Sequence, residues 1–443
     1  MIEPRTLKGF RDFLPEMMIP REILIDRVSS VYRSYGFAPI DTPVLEYLEI
    51  LSGKGSDETD KQLYQFEDNG GRKVGMRFDL TVPFARFSAQ HLAELPLPFK
   101  RYHLAKVWRG ENTQAGRYRE FMQCDFDTIG TTSSFSDVET ALVINDIMER
   151  IDLKTNNSFT RFQIHLNSRK ILTGLLEKLD IPDKAVPVLR ALDKLGKIGR
   201  EKVAEEMIAA AGIPSDKANS ILDLVLLENS DNESVLNHLE KTLSGNENGL
   251  DGVSVLRQIL DAASSLGIPK DRFVLDISIA RGLDYYTGTI FETFLTDLPK
   301  IGSVCSGGRY DNLAGLYTKQ TLPGIGASLG MDRLFAALEE LGMVEKTSSP
   351  VQVLIACFDK NLTNEYLKIG SDLRKIGIGA EIYPEPKKLG IQLKFADRKG
   401  FACVLVIGSS EWERKIVQVK NLKTGSQDEV SITDLPDYLK KVL

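Results

Sequence analysis

An α+β protein of several domains is what the sequence predicts, and three observations predict it. Glu120 to Ile129 alternates between apolar and polar side chains with the period of a strand. From about 167 to 265 the texture changes to Lys, Glu, Asp and Leu at helical spacing, broken at Ile181-Pro182 and Ile213-Pro214. Beyond residue 350, apolar strand-like runs alternate with amphipathic helices to the end of the chain. These shifts divide the chain into a parent domain at 1–166 and 266–343, an inserted helical module at 167–265, a linker at 344–350 and a C-terminal α/β unit at 351–443.

The elements follow in order. Pro20 to Tyr35 reads as a helix through Leu24, Val28, Val31 and Tyr35, stopped by Gly36. Phe37 to Leu45 holds Pro39 and Pro43, which exclude a central strand and leave an edge or an interface. Met76 to Thr81 alternates like a short strand, with Arg77, Asp79 and Thr81 on one face. A hairpin over 102–130 is expected, followed by a helix from Asp137 to Arg150. Strands return at Arg272 to Ile279, and after the Ala280 to Gly288 stretch another runs through Phe291. A glycine-rich strand from Leu322 then enters a helix that packs through Leu334, Leu338 and Leu341. The C-terminal unit reads as strands at Val351 to Cys357, Ala380 to Tyr383 and Ala402 to Ile407, with helices near 363–376 and 389–399 and a closing helix at 433–443.

A chain of 443 residues with 42% hydrophobic residues and a net charge of -6 is an ordinary globular composition with ample core. No apolar run is long enough to span a bilayer. Met1-Ile2-Glu3-Pro4-Arg5 lacks the apolar stretch of a signal peptide. A cytoplasmic location with no membrane partner is therefore expected. The four cysteines and four histidines show no metal-ligand spacing, so no protein-built transition-metal site is expected. The mildly acidic total does not favour nucleic acid, although a local basic face would suffice to bind it.

The chemistry concentrates on the second hairpin strand. Phe121, Gln123, Asp125 and Asp127 share one face; Met122, Cys124, Phe126 and Thr128 share the other. A ring, an amide and two carboxylates in a row suit the floor of a site. They equally suit a solvated hairpin whose acids pair with its own Arg117 and Arg119. Phosphate loops are weakly represented. Gly53-Lys54-Gly55-Ser56 is only a fragment of one, and Gly324, Gly326 and Gly330 have the wrong spacing for a dinucleotide fingerprint. Those glycines fit close approach of backbone to a flat ligand or a neighbouring strand. Arg109, Arg117, Arg281 and Arg333 each stand at a strand end or loop, where a guanidinium can grip phosphate or carboxylate, or form a surface ion pair. Asp79, Gln123 and Asp127 offer acceptors to an ammonium group, and Phe121 offers a face to a planar base. Lys387, Lys388, Lys394, Arg398 and Lys399 form a basic run that is either a solvated face or a phosphate-contacting one.

These residues carry a resemblance. Gly36 to Leu45, Trp108 to Phe121 and Gly324 to Arg333 resemble motifs 1, 2 and 3 of class II aminoacyl-tRNA synthetases. Ala280-Arg281-Gly282-Leu283-Asp284-Tyr285-Tyr286-Thr287-Gly288 and Ser306-Gly307-Gly308-Arg309-Tyr310-Asp311 resemble the two signature peptides of the histidyl-tRNA synthetase family. Arg117 to Asp127 resembles motif 2 of its eukaryotic and archaeal branch. The resemblance covers the chain from about residue 5 onward.

The resemblance implies a class II synthetase-like fold, with a mixed, mainly antiparallel sheet flanked by helices and a C-terminal α/β anticodon-binding domain. It implies activation of L-histidine by ATP with Mg²⁺, transfer to tRNA(His), and a homodimer formed through motif 1. Arg109 would hold the α-phosphate and the histidine carboxylate, and Arg281 would neutralise the α-phosphate during attack. Glu111 and Phe121 would receive adenine, while Arg117 and Arg333 hold the outer phosphates. Asp79, Thr81 and Gln123 would bind the ammonium, and Asp127 and Tyr286 the imidazole, with Tyr285 and Tyr310 lining the pocket. No role follows for Asp125. Two rivals are a regulatory paralogue, disfavoured by the presence of Arg281 and residues 351–443, and a synthetase for another amino acid, disfavoured by the signature peptides.

Overall fold

The structure, a computed structural model, describes residues 1–52, 60–114, 116–151, 162–226, 231–279, 285–346 and 348–443. It divides into two compact units, one of Met1–Arg11 with Leu24–Met343, the other of Asp12–Ile23 with Val344–Leu443. No helix among the described residues is long and apolar enough to cross a membrane.

The chain begins with α1 (Pro15–Ser34), β1 (Ala38–Pro39), β2 (Leu45–Tyr47), α2 (Leu48–Leu51), β3 (Gln65–Glu67), β4 (Lys73–Met76) and α3 (Thr81–Gln90). Next come β5 (Phe99–Trp108), β6 (Glu120–Ile129), α4 (Phe135–Arg150) and β7 (Phe162–Ser168). A helical run follows: α5 (Arg169–Lys178), α6 (Ala185–Leu192), α7 (Leu195–Ala211), α8 (Ser215–Val225), α9 (Asn232–Thr242) and α10 (Glu247–Ser265). The strands resume with β8 (Phe273–Leu275), β9 (Thr289–Leu295), β10 (Cys305–Tyr310) and β11 (Gly324–Gly330), which leads into α11 (Met331–Glu340).

The described strands build an eight-stranded sheet in the order β1-β5-β6-β11-β10-β9-β7-β8. Only its two end pairs, β1 with β5 and β7 with β8, are parallel; the pairs between them are antiparallel. The sheet is thus mixed and mainly antiparallel, as expected. The proline-bearing β1 lies at its edge, where a missing N–H costs no ladder bond. β2, β4 and β3 form a separate small sheet. The alternation read from β6 holds. Phe126 packs its ring against Tyr32 of α1 and Phe37, with centroids 5.2 and 5.3 Å apart, and the Tyr32 hydroxyl donates to the Cys124 carbonyl at 2.8 Å. The opposite face of β6 is left for polar work.

One expectation fails. Met76 to Thr81 is not a strand: β4 stops at Met76, and Thr81 opens α3. The Asp79 carboxylate accepts from the Val82 N–H at 3.0 Å, and Pro83 sits in the first turn where its missing N–H costs nothing. These two start signals outweigh the apolar alternation of Met76, Phe78 and Leu80.

A buried ion pair braces the far side of the sheet. Arg309 of β10 meets Asp137 of α4 at 2.5 Å, and the Thr289 hydroxyl of β9 donates to the same carboxylate at 2.6 Å. This network fixes the strand that carries Tyr310.

The C-terminal unit comprises β12 (Val353–Ile355), α12 (Thr363–Lys375), β13 (Ala380–Ile382), α13 (Leu389–Lys399), β14 (Cys403–Val406), α14 (Ser409–Glu413), β15 (Ile416–Asn421), β16 (Gln427–Ser431) and α15 (Leu435–Val442). Its sheet runs β13-β12-β14-β15-β16, parallel around β12 and antiparallel from β14 onward. Buried Gln392 of α13 accepts from the Cys357 N–H at 2.8 Å and donates to its carbonyl at 2.6 Å, which ties helix to sheet without an orphaned polar group. Within the basic run, Lys387 pairs with Glu385 and Lys399 with Glu381.

Candidate active site

The register of three strands assembles the site. Asp127, Asp125 and Gln123 of β6 stand opposite Gly326, Ser328 and Gly330 of β11, and Asp127 stands opposite Arg101 of β5. β10 lies beyond β11, with Gly308 opposite Gly326. The glycines are a steric requirement. A Cβ on Gly326 would overlap the Phe126 carbonyl and the Asp127 carboxylate, and one on Gly307 would overlap the Gly326 carbonyl. The spacing that failed as a dinucleotide fingerprint therefore serves close packing of strands under a carboxylate.

Two cavities open above this floor. The larger, about 220 Å³, is lined by Asp79, Thr81, Arg109, Gln123, Asp127, Tyr285, Tyr286 and Tyr310. Every described residue expected to contact the amino acid is therefore in one place. The smaller, about 130 Å³, is lined by Arg109, Glu111, Arg117, Phe121 and Arg333, the full set expected to contact ATP. Arg109, Gln123, Ser306 and Ser328 border both. Arg281 lies outside the described residues, as do Gly53-Lys54-Gly55-Ser56.

Sequence reasoning missed several lining groups. Asp125, Glu292, Ser306 and Ser328 line the larger cavity without having been assigned a role. Arg101 is fully buried beneath it, its guanidinium 4.3 Å from the Phe84 ring centroid and 2.5 Å from the Asp127 carboxylate. The partner of Asp127 is thus a cross-strand arginine. Arg117 instead stands 3.6 Å from Glu111, and Arg119 donates to the Glu111 carbonyl at 3.2 Å. The hairpin register, once drawn, would have pointed to Arg101.

The electrostatics follow from burial. Asp127 accepts from the Tyr310 hydroxyl at 2.5 Å; burial pushes its carboxyl upward, while Arg101 and Tyr310 pull it down. Asp79 is pushed up by burial, against the Val82 N–H and the charge of Arg109. Asp125 rises as well. Burial, with Asp127 and Asp79 adding to it and Arg101 opposing, pushes it up to about 7. Arg109 is aimed by a bond from its Nε to the Phe78 carbonyl at 3.1 Å, and its guanidinium lies 4.3 and 5.1 Å from the Phe78 and Phe121 ring centroids. Carboxylates thus dominate one cavity and guanidinium groups the other, with Arg109 at the join.

The Asp125 shift has a measurable sign. The folded protein keeps this proton at pH values where the unfolded chain has released it. Stability is therefore unaffected below the ordinary value of 3.8 and declines as pH rises toward about 7. A rise from 3.8 to about 7 corresponds to roughly 4 kcal/mol at most. Asp125→Asn should then stabilise the protein by about 2–3 kcal/mol more at pH 8 than at pH 5. Denaturant unfolding at the two pH values checks this, and an equal effect at both would contradict it.

Comparison with known proteins agrees with this geometry. The family described as histidyl-tRNA synthetase matches residues 9–334, and the anticodon binding domain family matches residues 352–442. The chain is 60% identical over 440 residues to the histidine–tRNA ligase of Rhodopirellula baltica, covering 99% of this chain and 98% of that one. The crystal structure of histidyl-tRNA synthetase from Nostoc sp. PCC 7120 superposes with a TM-score of 0.90 at 36% identity, covering 100% of both chains. An ATP phosphoribosyltransferase regulatory subunit/histidyl-tRNA synthetase from Bacillus halodurans shares the fold, with a TM-score of 0.73 at 20% identity over 88% of this chain and 96% of that one. A site divided between carboxylates and arginines, family matches to both parts of the chain and 60% identity along nearly its full length lead to one assignment: the chain belongs to the histidyl-tRNA synthetase family.

Proposed function

We propose that the larger cavity takes histidine and the smaller one ATP, so that the two reactants meet at Arg109. The activity is histidine–tRNA ligation: L-histidine and ATP give histidyl-adenylate and pyrophosphate, and histidine then passes to the 3′ end of tRNA(His). The observation that carries the cavity assignment is the shared border, with Arg109 reaching both spaces.

In this reading Asp79, Thr81 and Gln123 receive the ammonium, and Asp127 and Tyr286 bind the imidazole between Tyr285 and Tyr310. Phe121 and Glu111 receive adenine, and Arg117 and Arg333 the outer phosphates. The histidine carboxylate attacks the α-phosphorus in line as pyrophosphate leaves. Negative charge gathers on the equatorial oxygens, where Arg109 and, by the signature peptide, Arg281 oppose it. No side-chain nucleophile is needed. Among the described residues no three His, Cys, Asp or Glu side chains are grouped to hold a metal. Mg²⁺ would be held mainly by phosphate oxygens and water near Glu111 of the smaller cavity, where it would offset phosphate charge; the Asp332 oxygens there are taken by Arg11 at 2.6 Å and the Met122 N–H at 2.7 Å.

The reading extends to the rest of the chain. Residues 167–265 form an inserted helical module, supported by β7 and β8 pairing on either side of it. The basic run from Lys387 to Lys399, leading into and along α13, contacts tRNA phosphates, which predicts salt-sensitive tRNA affinity. A second copy covers the groove lined by Pro43, Leu45, Tyr47, Ile50 and Phe87, where Leu45 and Tyr47 are exposed. Sedimentation at the mass of a single chain would sink that dimer. A cytoplasmic location goes with the tRNA substrate, and fractionation tests it. The Arg117 to Asp127 stretch is read as following the eukaryotic and archaeal pattern because Asp127 stands where the bacterial pattern has glutamate. The relatives named above are bacterial, and aspartate throughout bacterial members would remove the distinction.

Histidine-dependent ATP–pyrophosphate exchange tests the function. Exchange should proceed with histidine and stay at background with the other amino acids, because apolar analogues leave the buried acceptors unpaired. Absence of exchange would point to a regulatory paralogue, and equal exchange with a second amino acid to another specificity.

A further inference from the structure

Asp125 has no part in the reaction described so far, yet it is 2% exposed and lines the histidine cavity. Its neighbours give it one. Ser328 stands directly opposite it on β11, which puts its hydroxyl and the carboxylate on the same face of neighbouring strands. The Gln123 Nε2 lies 2.8 Å from the same Ser328 Oγ. Gln123 is 8% exposed, and its Oε1 is buried with no protein partner.

A hydroxyl has a single proton to donate. An ionised carboxylate can only accept, so a bond between the two facing groups takes the Ser328 proton. Its oxygen then has only lone pairs to offer Gln123, which obliges the amide to turn its NH₂ toward Ser328. The amide oxygen is thereby left facing the cavity. An ammonium needs an acceptor at that point, and an NH₂ there would repel it.

The geometry points to Asp125 and Ser328 as positioning residues that set the polarity of Gln123, and through it the recognition of the substrate ammonium. This rests on the reading that Gln123 contacts that ammonium. Without Asp125 or Ser328 the chain of bonds has no fixed direction, and the amide can present either end. The charged and titratable groups around Asp125 include Asp127, Asp79, Arg101 and Arg77, with His103 directly opposite it on β5. They act on its charge but do not bond the Gln123 amide, so the effect of Ser328 is separable from theirs.

The test compares Asp125→Asn and Ser328→Ala in the full-length enzyme at pH 8. Calorimetry measures binding of L-histidine and of imidazolepropionate, which lacks the ammonium. The wild type should prefer histidine. Each variant should bind histidine about tenfold to a hundredfold more weakly, the scale of one charge-assisted hydrogen bond, while imidazolepropionate changes by less than about threefold. A wild type that binds both ligands equally would overturn the ammonium reading itself. With that preference in place, a loss confined to Asp125→Asn would mean direct charge attraction and would overturn the relay. No selective loss, equal loss of both ligands, or loss in Ser328→Ala alone would overturn it as well.

Discussion

Replacing Arg109 with alanine should lower kcat/KM for histidine-dependent pyrophosphate exchange by about 10³-fold, the scale of removing one preorganised charge donor at a developing oxyanion. Arg109 borders both cavities, and its Nε is already committed to the Phe78 carbonyl, which fixes where the guanidinium points. A fixed cation requires no reorganisation as charge builds on the phosphorus, so the loss should fall mainly on kcat. Arg109→Lys should recover little, since an ammonium cannot reproduce the planar fork or its packing against Phe78 and Phe121. Thermal unfolding should change little, because the side chain is only partly buried. A raised KM with kcat intact would mean that Arg109 supplies uniform binding instead.

Asp127→Asn should affect both catalysis and stability. The substitution preserves size but removes the charge facing Arg101, which is fully buried. Breaking one side of a buried pair costs about 3–5 kcal/mol, and Asp125 nearby would offset part of that. The Tyr310 hydroxyl also loses its charged acceptor. With the imidazole site weakened, kcat/KM for histidine should fall by about 10²-fold or more, since a charge-assisted bond and its alignment go together. Denaturant unfolding and exchange kinetics on the same preparation check both effects. Unchanged stability would mean that Asp125 alone satisfies Arg101.

What the sequence made legible was local. The period of β6 revealed which face was polar, and that face is the floor of the site. The partner of Asp127 was not legible. Arg101 lies at the far end of β5, and only the pairing register, fixed by the length of the intervening loop, brings the two together. Asp79 and Thr81 line the larger cavity, but not from the strand expected for them. Alternating Met76, Phe78 and Leu80 imitate a strand, while the Asp79 cap and Pro83 decide for a helix. Asp125 looked idle because its role depends on Ser328, about two hundred residues away in sequence and opposite it in the sheet. Arg281 of the first signature peptide falls outside the described residues.

A crystal structure with histidinol and ATP bound tests most directly whether the two cavities divide one reaction at Arg109. The imidazole should lie between Asp127 and Tyr286, the ammonium against Asp79 and Gln123, and the adenine against Phe121, with the α-phosphate beside Arg109. Adenine in the carboxylate-lined cavity, or an α-phosphate out of reach of Arg109, would contradict it.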